Sequence, residues 1–182
     1  MAYGILFLRV VVGATMFGHG AQKLFGWFGG GGPQGTTGFF GSLGFRRPLA
    51  MAVTAGLSEA SGILLALGFL TPLACVAIAT VMVVAVGSIH WRNGFWVTSG
   101  GYEYNLLIWA TAVTISTTGP GRFSIDRAFG WVDNITGLWW GIAVAVASLV
   151  AGAIVLSQRE VQPEGEADEA LAREREDERV IV

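Results

Sequence analysis

The sequence predicts an all-α membrane protein, a bundle of transmembrane helices with a charged tail. Three observations predict it. Just over half of the 182 residues are apolar and only 13% are charged. Five apolar runs approach the roughly 20 residues that a helix needs to cross a bilayer. Most of the acidic residues sit in the last twenty positions, beyond every apolar run. Several function classes fall away at once. The single cysteine, Cys75, cannot form a disulfide within the chain, which excludes an intramolecular dithiol redox mechanism. Basic residues are too few and too scattered for nucleic-acid binding. The glycines 29–32 lack the strand, the spacing and the Lys-Ser/Thr pair of a phosphate loop. The first apolar run is too long for a cleavable signal peptide and lacks a clear small-residue cleavage site.

The first span covers about residues 3–25 and contains Arg9. An arginine there costs several kcal/mol unless it is paired or solvated. The span ends in Gly18-His19-Gly20-Ala21-Gln22-Lys23-Leu24-Phe25-Gly26, which holds one of two histidines and the only lysine. His19 and Lys23 are four apart and share a helix face. Snorkelling of Lys23 to the headgroups is one account of that lysine. Glycines 29–32 and Pro33 then stop the helix. Residues 36–43 suit a short helix in the headgroup layer, among Trp27, Phe28, Phe39, Phe40 and Phe45.

The second span, about residues 48–69, opens on Pro48. Its small residues recur every four positions: Ala52, Gly56 and Ala60, then Ser58, Gly62 and Ala66. That spacing lets helix backbones approach closely in lipid. Glu59 falls near its midpoint. Thr71-Pro72 reads as an N-cap and first-turn proline, so spans two and three form an antiparallel hairpin. The third span, about 72–90, ends in His90-Trp91-Arg92. Span four runs from about Tyr102 to Thr117, and Thr111, Thr114 and Ser116 suggest burial among neighbours. Gly119-Pro120-Gly121 breaks it, and a polar connection comes next. A fifth run, about 138–156, starts with Trp139 and Trp140, as an aromatic belt would. The tail, 158–182, is rich in Glu, Asp and Arg; residues 169–179 suit a charged helix that needs no burial, and the default is a solvated tail.

Alternation puts Lys23, Arg46, Arg47, Arg92 and Arg159 on one side and Arg122 and Arg127 on the other. The positive-inside rule then places the N-terminus outside and the tail in the cytoplasm of a multi-pass cell-membrane protein.

Depth arithmetic suggests which polar groups meet. At about 1.5 Å per residue, Arg9 lies some 7 Å from mid-span, within reach of Glu59, so the two are expected to form an ion pair that braces the bundle. His19 and Lys23, then His90, Trp91 and Arg92, then Glu103, Tyr104 and Asn105 all fall at one membrane face. Together they suit an anion, a quinone head group or a polar substrate, with His able to exchange protons near neutral pH and Glu103 to orient it. A plain interfacial layer of polar residues is the competing account. Haem ligation by His19 and His90 is disfavoured by a depth mismatch of about 6 Å. No zinc-type Cys/His pattern exists, and no metal ligand set is assigned.

Several motifs carry a resemblance. Gly18-His19-Gly20-x-Gln22-Lys23-Leu24-Phe25-Gly26, Glu59 in a small-residue span, and Asn93-Gly94-Phe95-Trp96 before Gly101-Tyr102-Glu103-Tyr104-Asn105 resemble the DoxX family over about residues 3–117. The resemblance implies a DoxX-like four-helix transmembrane bundle over 1–118. To this the chain adds a connecting loop, 119–137, a fifth transmembrane helix, 138–157, and the tail, 158–182. The family includes a thiosulfate:quinone oxidoreductase subunit, and a member associated with superoxide dismutase and a thiosulfate sulfurtransferase. The resemblance therefore implies an oxidoreductase subunit in a quinone-linked redox system, serving sulfur chemistry or oxidative-stress defence. His19, Lys23, His90 and Glu103 would handle protons and substrate, with Gln22, Trp91, Tyr104 and Asn105 binding it. Quinone is the expected substrate, with no bound cofactor evident. The expected partners are the bilayer, soluble redox enzymes such as superoxide dismutase or a sulfurtransferase, and a second copy of the chain. Two other readings stand beside it: a non-catalytic scaffold that works through the tail, and a small-solute or lipid transporter with Glu59 in the pathway.

Overall fold

The computed structural model describes residues 2–160. The charged helix expected over 169–179 lies outside them. Five long helical segments make the bundle. They are α1 (Ala2–Phe25), a span formed by α3 (Pro48–Ala60) and α4 (Gly62–Leu67), α5 (Thr71–Ala85), α6 (Glu103–Thr118) and α8 (Leu138–Leu156). Among the described residues, four spans are long and apolar enough to cross a membrane: Ala2–Phe25, Pro48–Leu67, Thr71–Asn93 and Leu138–Leu156. The chain is therefore a helical, multi-pass membrane protein, and its lipid-facing sides contact the bilayer. Helix α6, at 16 residues, is shorter. Of the three polar residues expected to be buried in it, Ser116 is buried and Thr111 half-buried. Thr114 is exposed, and Thr111, Thr114 and Thr117 donate to their own i−4 carbonyls at 2.8–2.9 Å, so these hydroxyls need no neighbouring helix.

Helix α1 packs on α3 and α4, while α5 packs on α6 and α8. Glycines set the first contact. A Cβ at Gly13 would overlap the Gly62 carbonyl and Ala66, and one at Gly20 would overlap Gly56 and Ala60. These close approaches fix the antiparallel register of α1 against α3/α4. Between the two groups lies a core of Met16, Leu65, Cys75, Ile78, Met82, Ile108, Ile115 and Val144. Helix α8 belongs to this bundle: its buried Gly141, Val144, Ser148 and Gly152 face α5 and α6, and Trp109 donates to Ser148 at 3.0 Å.

The two ends of the bundle differ. At one, the short α7 (Ile125–Ala128) carries Asp126, which is wholly buried. Its carboxylate accepts from Leu70 N (2.8 Å), Thr71 N (3.0 Å) and the Thr71 hydroxyl (2.7 Å). The expected cap is thus corrected. Leu70, in the left-handed region at φ 49°, is the N-cap residue of α5, and a remote aspartate satisfies the first amides instead of Thr71. At the other end lies α2 (Gly32–Ser42), an amphipathic helix beginning slightly earlier than expected and packed on α3 and α1. Its Phe40 joins Phe45, Met51, Ala55 and Val84 in a second core.

Candidate functional site

The site is built from the end of α1, the end of α5 and the start of α6. Gly20 sets the rotation of α1 against α3, so Lys23, one turn later, reaches Glu59 at 2.5 Å. The Lys23 side chain is 23% exposed and that of Glu59 6%. Lys23 thus turns inward to a carboxylate instead of snorkelling to the headgroups. His19 is close enough to act on Glu59 electrostatically.

The expected Arg9–Glu59 pair does not form. Arg9 is buried at the opposite end of the bundle, where its guanidinium donates to the carbonyls of Pro120, Phe123 (2.7 Å) and Ala66 (3.2 Å). Gly68 leaves room for it, since a Cβ there would meet the guanidinium. The reason is register. With Gly13 against Gly62 and Gly20 against Ala60, Arg9 faces Ala66. Glu59 stands seven residues away, about 10 Å along the axis. Mid-span in α3/α4 is not level with mid-span in α1.

His19 and His90 line one cavity of about 210 Å³ with Met16, Met82, Val97, Gly100, Gly101, Tyr104 and Asn105. The two imidazoles, 71 positions apart in sequence, thus border one space. His90 stands at the end of a π-helical turn, Val86–His90, that extends α5. Such a turn inserts an extra residue and rotates the residues after it out of α-helical register. His90 Nδ1 lies 2.6 Å from the Gly100 carbonyl. A carbonyl only accepts, so Nδ1 carries the proton and Nε2 of the neutral ring holds the lone pair. Asn105 is buried and donates to Met82 Sδ at 3.7 Å.

The loop before α6 explains the position of Gly100. Gly94, at φ 76°, lets the chain turn, and Tyr102 N and Glu103 N donate back to Gly94 (3.1 Å) and Phe95 (2.9 Å) carbonyls. Gly101 fits only because it lacks a Cβ, which would overlap Gly94 and Phe95. The Glu103 carboxylate accepts from Val97 N at 3.0 Å. It therefore braces the loop that carries Gly100, and it is not among the residues lining the histidine cavity. Trp91 is exposed and stacks on Tyr102 with ring centroids 5.6 Å apart. It borders a different, apolar cavity with Met82, Val86 and Trp109. Gln22 donates to the Phe28 carbonyl at 3.3 Å and its backbone abuts Gly30, so it holds the turn after α1. Of the proposed site residues, His19, His90, Tyr104 and Asn105 share the cavity.

A second cavity of about 270 Å³ lies under α2. Phe39, Phe40, Leu43, Met51, Val84 and Val155 supply apolar walls, while Lys23, Ser58, Ser88 and His90 supply polar edges. His90 borders both spaces. Met16, Met82 and the Gly100 carbonyl were not singled out by motif reading. The i, i+3 spacing of Met16 and His19 was the available signal. Among the described residues, no group of three or more His, Cys, Asp or Glu could hold a metal ion.

The fold and this pocket define a multi-pass helical membrane protein with a cavity bordered by two histidines at one end of the bundle. The DoxX family model matches residues 4–91 of the chain, which supports a protein of the DoxX type. That stretch holds His19, Lys23, Glu59 and His90 but ends before α6. Comparison with curated proteins and with solved structures gave no match.

Proposed function

We propose that the chain binds a quinone at the cytoplasmic end of the bundle, as the membrane subunit of a redox system. The carrying observation is that His90 borders two cavities of similar size, one shared with His19, Tyr104 and Asn105 and the other walled by Phe39, Phe40, Met51 and Val84. A quinone has both parts, a ring with two hydrogen-bonding oxygens and an isoprenoid tail. The ring would lie among His19, His90, Tyr104 and Asn105, and the tail would run under α2 past Phe40 and Val84. His90 Nε2 accepts from a hydroquinone hydroxyl and can take its proton. Charge supports a neutral head over an anion such as thiosulfate, because Glu59 already neutralises Lys23. The orientation rests on Lys23, Arg46, Arg47, Arg92 and Arg159 at the site end, against Arg122 and Arg127 at the other. Residues 158–160 pair with 44–46 at the site end, the face where a soluble redox enzyme would dock.

The test is a titration of purified protein with quinone head-group analogues of increasing prenyl length. Affinity should rise about tenfold or more from none to two isoprenoid units, and Ala55→Trp, which fills the apolar cavity, should remove that gain. Absent binding, or affinity independent of the tail, would reject the reading.

A further inference from the structure

The side chain of Arg159, just past α8, joins several segments at this end of the molecule. Its Nε donates to the Leu43 carbonyl at 2.9 Å, and its Nη1 to the Gly87 carbonyl at 3.3 Å. The guanidinium lies over the Phe45 ring, 5.6 Å from its centroid. Backbone pairing holds the chain around it: Arg46 N donates to Gln158 O at 3.3 Å and Glu160 N to Gly44 O at 2.8 Å. Gly87 is the second residue of the π-helical turn that ends in His90. Leu156, one turn before Arg159, packs on the same Gly87, where a Cβ would meet its side chain. One planar cation thus joins the loop behind α2, the end of α8 and the turn that presents a cavity histidine.

From this geometry we infer that Arg159 is a positioning residue for His90, fixing the π-helical turn so that the imidazole stays between the two cavities. A π-helical turn is a rare local departure from the α-helix, found most often at functional sites. Arg159 holds the turn from just past α8, through a rigid fork that reaches the Leu43 and Gly87 carbonyls at once. A lysine has a single ammonium and no such fork. The inference gains functional weight from the quinone reading, but its geometry stands without it.

The chain has two histidines, so selective 15N-histidine labelling gives two imidazole signatures, which His19→Gln assigns. In Arg159→Gln and Arg159→Lys, the His90 ring nitrogens should shift and broaden while those of His19 stay in place. Arg46→Gln breaks only the exposed 2.8 Å pair with Glu160 and should leave both signatures unchanged. Unchanged His90 nitrogens in both Arg159 variants would overturn the inference, as would equal movement of His19, which would mark general loosening. This readout needs no ligand, so it succeeds or fails apart from quinone binding. Where the wild type binds a prenylated analogue, Arg159→Lys should weaken it three- to tenfold with cooperative unfolding retained.

Discussion

Lys23 and Glu59 meet 2.5 Å apart where α1 and α3 close on each other, and this pair, not one with Arg9, neutralises the carboxylate of the second span. Removing one partner would strand the other in an apolar setting. Lys23→Met should destabilise the protein by about 3 kcal/mol, and the double variant Lys23→Met/Glu59→Gln should recover most of it. Thermal unfolding in detergent reads both. A double variant no better than the single ones would show that the pair contributes little.

The glycine contacts give a matched comparison. A Cβ at Gly13 would overlap the backbone of α4, whereas one at Gly18 would meet nothing within 4 Å. Gly13→Leu should cost at least the 1–3 kcal/mol usual for overpacking, and Gly18→Leu close to none. Equal melting temperatures for the two variants would contradict the register described here.

The limits of the spans were legible in the sequence, because apolar length and helix breakers report on each segment alone. Register was not. The small residues of the second span were visible, but their partners Gly13 and Gly20 had no signal beyond being glycine, so Arg9 and Glu59 were placed level when they are far apart. The convergence of His19 with His90 was read from alternation of the spans, and both border one cavity. The roles of Gln22 and Glu103 were hidden for a different reason. Both bind backbone groups, Phe28 O and Val97 N, and a motif does not reveal whether a polar side chain faces a ligand or the chain's own backbone.

The far end of the bundle is a structural clamp. Asp126→Ala would leave Leu70 N and Thr71 N without their acceptor, at a cost of about 2 kcal/mol. Arg9→Met should release the 119–137 connection, seen as faster proteolysis there. Neither change should alter ligand affinity by more than about twofold, since both lie at the end away from His90. A large loss of affinity in either variant would mean that the two ends are coupled.

The central claim is that one amphipathic ligand occupies the space on both sides of His90. Photolabelling of the protein in native membranes with an azido-quinone tests it most directly, with mapping of the modified residues. The account predicts ring-linked label on the segments bearing His19, His90 and Tyr104, prevented by excess unlabelled quinone and reduced at least tenfold by His90→Gln. Label spread over the lipid-facing residues of α1 and α8, without competition, would contradict it.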